Sequence, residues 1–129
     1  MAGAKGILTP RQVYARLAWV RRARQEHFFV FCLNSRGLAF RRQLLVSKGI
    51  LNATLVHPRE VFYSAIRHNA ASIIVVHNHP SGDTEASADD LDITARLVKA
   101  GQIVGIEVAD HVIVAEGGYT SLREVGFIT

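Results

Sequence analysis

The 129-residue chain is expected to be α/β in class, a mixed β-sheet flanked by helices. Three observations predict this. Segments with apolar residues at helical spacing alternate with short apolar runs of strand length, the pattern of an α/β layering. Two of those runs flank Asn34-Ser35-Arg36-Gly37, a hairpin signal, so an antiparallel pair is built into the sheet. The length and the 49% hydrophobic share suit one core, so a single domain over residues 1–129 is expected.

Each element has its own local reason. Thr9-Pro10-Arg11-Gln12 is a compact helix start, with Thr at the N-cap, Pro at N1 and Gln at N3. Val13, Leu17 and Val20 then make an apolar stripe at helical spacing. Strands are expected over 28–33 and 38–46, and Gly49 and Asn52 mark a connection. A second helix opens near Pro58, buries Val61, Phe62, Ala65 and Ile66, and ends near Asn69. A strand over 72–76 leads into a polar loop, followed by a helix from Ser87 to about Ala100 with Gly101 in the C-cap position. Strands over 103–108 and 111–115 come next. Gly117-Gly118 is then expected to turn the chain into a short closing helix, with Ser121 as cap and Glu124 at N3.

Composition narrows the function classes. No apolar run approaches the roughly 20 residues that span a bilayer. The first six residues lack the apolar stretch of a signal peptide, so the cytoplasm is the expected location and no membrane partner is expected. The single Cys32 lies in an apolar run and is expected to pack in a strand. Residues 1–70 carry 12 lysines and arginines against 2 acidic residues; residues 71–129 carry 3 against 9. The basic half, with Arg11, Arg16, Arg21, Arg22 and Arg24 on or near the first helix, could track phosphates or pair with the acidic half. No interleaved aromatics support base stacking. Weak, non-specific nucleic-acid binding through residues 1–70 is the expectation.

The densest chemistry lies in His77-Asn78-His79-Pro80-Ser81-Gly82-Asp83 and Ser87-Ala88-Asp89-Asp90. Residues i and i+2 of an extended segment share a side, so His77 and His79 can aim at one point. Asp90 follows Ser87 by three, one face of a helix's first turn. Two imidazoles and a carboxylate form a zinc ligand set that leaves one tetrahedral position open, as catalytic sites do. Plainer readings coexist: Ser87-x-x-Asp90 is also a helix cap, and Pro80-Ser81-Gly82-Asp83 an ordinary turn. A cap and a turn require no histidines, and here two stand within reach. His27, His57, His68 and His111 fall outside the ligand spacing and are expected to be packing or surface residues. Asp110-His111 carries little weight as a pair behind the ligands. For a proton-accepting carboxylate the residues alone leave Glu26, Glu60, Glu85 and Asp83 open.

The His-x-His, seven residues, Ser-x-x-Asp string resembles the JAMM pattern of the JAB/MPN metalloprotease superfamily. More narrowly the chain is similar to RadC-type JAB domains. That likeness rests on Val56-His57-Pro58-Arg59-Glu60-Val61-Phe62, the His77–Asp83 string, Gly105-Ile106, Asp110-His111-Val112-Ile113, and Gly118-Tyr119-Thr120-Ser121-Leu122 with Glu124. It covers about residues 25–128. The resemblance implies a JAB/MPN, cytidine-deaminase-like architecture with Zn²⁺ held by His77, His79 and Asp90. It implies Glu26 as the catalytic carboxylate, since the superfamily's glutamate precedes the corresponding apolar strand. Ser87 would hydrogen-bond the reacting water or oxyanion. The implied activity is hydrolysis of an amide or isopeptide bond in a protein or peptide substrate. A DNA-repair-associated binding or nuclease role, or a non-catalytic JAB interaction module, are the alternatives. RadC-type proteins usually carry an N-terminal helix-hairpin-helix segment; none is expected within these residues, whether the chain is a short stand-alone member or a piece of a longer protein. The loop holds Thr84-Glu85-Ala86 where many relatives have prolines, and is expected to be less stiff.

Overall fold

The computed structural model describes residues 8–39, 43–49 and 56–129. The expected connection at Asn52, the 40–42 part of the second strand, and the basic Arg41 and Arg42 lie outside them. Helix α1 (Pro10–Arg16) is followed by a 3₁₀ turn at Val20–Arg22 and strand β1 (Glu26–Leu33). Then come β2 (Leu44–Gly49), α2 (Pro58–Arg67), β3 (Ser72–Asn78), α3 (Ala88–Val104), β4 (Glu107–Ala115) and β5 (Gly118–Ser121).

The strands form one mixed sheet in the order β2-β1-β3-β4-β5, with only β3 and β4 parallel. A parallel pair needs a crossover, and α3 supplies it. Alternating side chains send β1 and β3 residues into two cores. Phe28, Val30, Ile73 and Val75 pack with Val61 and Phe62 of α2 and with Ile93 and Leu97 of α3. Phe29, Phe31, Ile74 and Val76 pack with Val13, Leu17 and Val20. A sheet covered on both faces explains why β1 and β3 are apolar without a break. Cys32 is buried in the first of these cores, as expected.

The cap at Thr9 forms in both directions: its hydroxyl accepts from Gln12 N–H at 3.2 Å, and Gln12 Oε1 accepts from Thr9 N–H at 3.0 Å. The helix stops at Arg16, yet Leu17 and Val20 still complete the buried stripe. In the hairpin the Asn34 side chain accepts from Arg36 and Leu38 N–H, and Ala39 bridges back to Leu33.

Several expectations are corrected, and among the described residues the second strand spans Leu44–Gly49 rather than 38–46. Ile66 is 57% exposed, so α2 buries a narrower face than its apolar residues suggest. α3 runs through Gly101 to Val104 and ends on Gly105, whose φ of 79° is left-handed. Gly101 is an interior contact: a Cβ there would lie 2.3 Å from the Ile106 carbonyl oxygen. Residues 103 and 104 are therefore helical, and one unbroken strand, β4, replaces the two expected over 103–115. Gly117-Gly118 opens β5 rather than a helix. The Ser121 hydroxyl still accepts from Glu124 N–H at 3.1 Å, but the residues after it form turns. No helix among the described residues is long and apolar enough to cross a membrane.

Candidate metal centre

The site forms where β3 ends and α3 begins. β3 extends two residues past the expected end, so His77 is a strand residue and 3% exposed. The His79 N–H donates to the Val114 carbonyl at 2.9 Å, which holds the chain beside β4 for one more step. Gly82, with φ 89°, then turns the loop, and its N–H donates to the His79 carbonyl at 3.0 Å. The Thr120 hydroxyl anchors the loop by donating to the Thr84 carbonyl at 2.6 Å.

α3 opens on the expected cap. Ser87 Oγ accepts from Asp90 N–H at 3.1 Å, and Asp90 Oδ2 accepts from Ser87 N–H at 2.8 Å. The cap orients the Asp90 carboxylate toward β3. His77 Nε2 lies 2.8 Å from Asp90 Oδ1, and His79 Nε2 lies 2.9 Å from Oδ2. One donor atom from each of the three residues lies within 4.8 Å of the other two.

Both imidazoles turn Nε2 inward because Nδ1 is occupied behind. His79 Nδ1 is 2.7 Å from the Asp83 carbonyl, an acceptor only, so Nδ1 carries the proton and Nε2 the lone pair when the ring is neutral. His77 Nδ1 is 2.9 Å from His111 Nε2. The proton between those rings is assigned one step further back. Thr94 Oγ1 is 2.7 Å from the Asp90 carbonyl and 2.5 Å from His111 Nδ1. A carbonyl cannot donate, so the single hydroxyl proton goes to it, and His111 Nδ1–H donates to Thr94. Burial pushes the His111 pKa well down, helped by His77, so this ring is neutral and its Nε2 is an acceptor. His77 Nδ1–H donates there, so the neutral ring would present its Nε2 lone pair to an ion held with Asp90.

Without an ion, a proton on Nε2 takes the place that the ion would fill between imidazole and carboxylate. Burial alone would raise the Asp90 pKa, but hydrogen bonds with His77 and His79 outweigh it and hold the carboxyl well below its usual range. The hydrogen bond that His79 Nε2–H donates to Asp90 is the largest cause of a raised pKa at His79. A carboxylate and two inward Nε2 lone pairs, each ring braced behind, fit a borderline divalent ion.

Glu26 is the first residue of β1, partly buried, and lines the cleft beside His79, Ser87 and Asp90. Its charge contributes to raising the His79 pKa. Glu85 and Asp83 line the same cleft, whereas Glu60 lies beside Leu45 and Tyr63 elsewhere. His57 and His68 flank α2 as its caps, and His27 packs on Phe29 and Trp19. His111 is a correction: it is neither simple packing nor surface, but the brace behind His77. Asp110 does not join it there. Its carboxylate accepts from His111 N–H, Ser121 Oγ–H and Arg123 N–H instead. Thr94 was legible only as a polar residue inside an apolar helix face. The signal for His111 was a histidine within the apolar run of β4.

The family profile for the RadC-like JAB domain matches residues 7–127. The chain belongs to the RadC-like JAB domain family. A UPF0758 protein of Methanosarcina barkeri is 42% identical over 123 residues, covering 95% of this chain and 53% of the relative. One of Symbiobacterium thermophilum is 48% identical over 124 residues, with the same coverage of 95% and 53%. One of Bacillus cereus is 50% identical over 109 residues, covering 84% and 48%. This RadC-like chain thus spans about half the length of the curated relatives it matches. Their names state no activity. The mixed sheet and its helices are those expected of a JAB/MPN domain.

Proposed function

We propose that this RadC-like domain is a zinc-dependent hydrolase of the JAMM class, cleaving an amide or isopeptide bond in a protein or peptide. The observation that carries the reading is the convergence of His77 Nε2, His79 Nε2 and the Asp90 carboxylate, with Glu26 and Ser87 on the same cleft. When bound, zinc would polarise the scissile carbonyl and lower the pKa of water in the cleft. His77, His79 and Asp90 hold and orient the ion. Glu26 accepts the attacking water's proton at its carboxylate and passes it to the leaving amine. Ser87 Oγ already accepts from Asp90 N–H, so its own proton is available to the oxygen that gains charge in the transition state.

Charge favours this substrate class over a phosphodiester. Glu26, Asp83, Glu85, Asp89 and Asp90 line the cleft, and among the described residues no lysine or arginine does. Such a lining repels a polyanion. The basic residues Arg11, Arg16, Arg22 and Arg24 are exposed on the α1 side of the chain and support only weak, non-specific contact with nucleic acid. The intact donor trio weighs against a purely non-catalytic module.

The test begins with elemental analysis of protein purified without chelator, then screens peptide, isopeptide and nucleic-acid substrates. Glu26→Gln should fold, keep its zinc and lose turnover by roughly 10²–10⁴-fold. Ser87→Ala should lose less. Full nuclease turnover with no amide cleavage would replace the reading.

A further inference from the structure

The end of β1 that carries Glu26 is held differently from the rest of the strand. Backbone pairing between β1 and β3 begins at Phe28↔His77. Glu26 and His27 pair instead with Gly49 and Lys48 of β2, the edge strand. β3 runs one residue past His77 to Asn78, between the two imidazoles of the donor cluster.

The Asn78 side chain bridges the place where the ladder stops. It is fully buried. Its Oδ1 accepts from His27 N–H at 2.6 Å, and its Nδ2 donates to the carbonyls of Gln25 and Val20, each at 3.1 Å. Both amide protons are spent, so neither is left for a substrate. Two of these bonds grip the backbone immediately before and immediately after Glu26. The third ties in the 3₁₀ turn that leads into the strand. A hydrophobic residue here would leave the buried His27 N–H without this acceptor and take one donor from each of the two carbonyls. The arrangement couples the strand of the imidazoles to the backbone of the carboxylate through one side chain.

We propose that Asn78 is a positioning residue that sets Glu26 beside the metal cluster. The inference rests on the reading of Glu26 as the proton acceptor there. Asn78 touches neither donor atoms nor substrate; it acts through the backbone on each side of Glu26. Without it, the backbone on each side of Glu26 loses its side-chain tie to β3, and the carboxylate samples positions away from His79.

The test reads the placement of Glu26 directly. The chain is labelled with ¹³C at glutamate carboxyls, loaded with cobalt(II), and paramagnetic relaxation of each carboxyl resonance is measured. Glu26→Gln assigns the Glu26 signal by its loss. In the parent, Glu26 should relax fast. In Asn78→Ala its enhancement should fall several-fold, with cobalt stoichiometry and the Glu85 signal unchanged. Asn78→Asp keeps the side-chain shape and the acceptor for His27 N–H but sets an oxygen against the Gln25 and Val20 carbonyls in place of both donors; it should show the same fall and serves as the second variant. A lowered melting temperature with unaltered Glu26 relaxation in a folded variant would mean that Asn78 is only structural, and would overturn the inference alone. No enhancement at Glu26 in the parent would overturn the proton-acceptor reading itself, and the inference with it.

Discussion

Thr94→Val tests the proton assignments behind His77. Valine keeps the shape of threonine and removes one hydroxyl, which is 2.7 Å from the Asp90 carbonyl and 2.5 Å from His111 Nδ1. Thr94 is fully buried, so water is not at hand to replace it. His111 Nδ1–H would then face an apolar methyl, an unsatisfied donor that costs about 1–3 kcal/mol. The neutral ring can avoid that cost by moving its proton to Nε2, which faces His77 Nδ1 at 2.9 Å. His77 must then accept at Nδ1 and carry its proton on Nε2, where it would point at the metal instead of a lone pair. Removing a partner behind a metal-bound histidine typically lowers affinity roughly 10- to 100-fold. That range is about 1.4–2.7 kcal/mol of binding free energy. The assay is zinc competition against a chromophoric chelator, with thermal unfolding of the metal-free protein run in parallel. Thr94→Ser restores the hydroxyl and should recover most of the affinity. Zinc affinity in Thr94→Val within twofold of the parent would refute the proton relay, whatever happened to the melting temperature.

Asp90→Asn removes the anionic donor while keeping an oxygen for the Ser87 cap; zinc retention after dialysis should fall sharply, and full occupancy would remove Asp90 from the ligand set. Zinc affinity should also fall with acid: the His79 pKa is raised above the ordinary 6.5, so binding below that raised value displaces its proton, whereas Asp90 has none to lose. Calorimetry in two buffers of different ionisation enthalpy reads that release, and no release below the raised value would contradict the assignment. In the metal-free protein the raised His79 pKa adds stability that is complete below pH 6.5 and lost as pH rises through the raised value. The depressed Asp90 pKa adds stability present above the carboxylate range and lost only as pH falls through its lowered value. His111 acts oppositely to His79, because its depressed pKa costs stability as pH falls below 6.5. Replacing His111 with a neutral residue should therefore flatten the acid side of the metal-free stability profile; an unchanged acid limb would show that His111 is not neutral in the fold. Gly101→Ala places a Cβ 2.3 Å from the Ile106 carbonyl oxygen and 3.3 Å from Phe62, so denaturant unfolding should register a loss of about 1–3 kcal/mol, with zinc content unchanged.

The legible part of the site is the part made by short-range geometry. Ser87 and Asp90 form the expected helix cap, and the same bonds orient the carboxylate toward the two imidazoles, the arrangement that the ligand reading needs. Spacing alone sufficed because three residues of helix and two of extended chain have nearly fixed reach. The strands around the site were legible for a similar reason, since unbroken apolar runs at 28–33 and 73–76 demand burial on two faces. Where local pattern competed with exposure it misled. Ile103 is apolar but 85% exposed at the end of α3, so its hydrophobicity signalled neither a strand nor a core.

What the sequence hid is whatever depends on register between distant strands. Parallel pairing sets Ile113 opposite His77 and His111 opposite Val75, on the face that also carries Phe28. Side chains two apart on a strand share a face, so this register brings His111 within hydrogen-bonding distance of His77 across 34 residues of sequence. A slip by one residue would turn His111 to the other face and expose Asp110 to His77, exchanging a neutral acceptor for an anion. The register is held by both apolar cores at once, because each face of β3 and β4 is packed. Asp110 is kept away from the centre by Ser121 Oγ–H and Arg123 N–H on its own face. Its pairing with His111 in the chain is therefore a neighbourhood of sequence and not of chemistry. The protonation of His77 thus follows from packing far from the motif that names it.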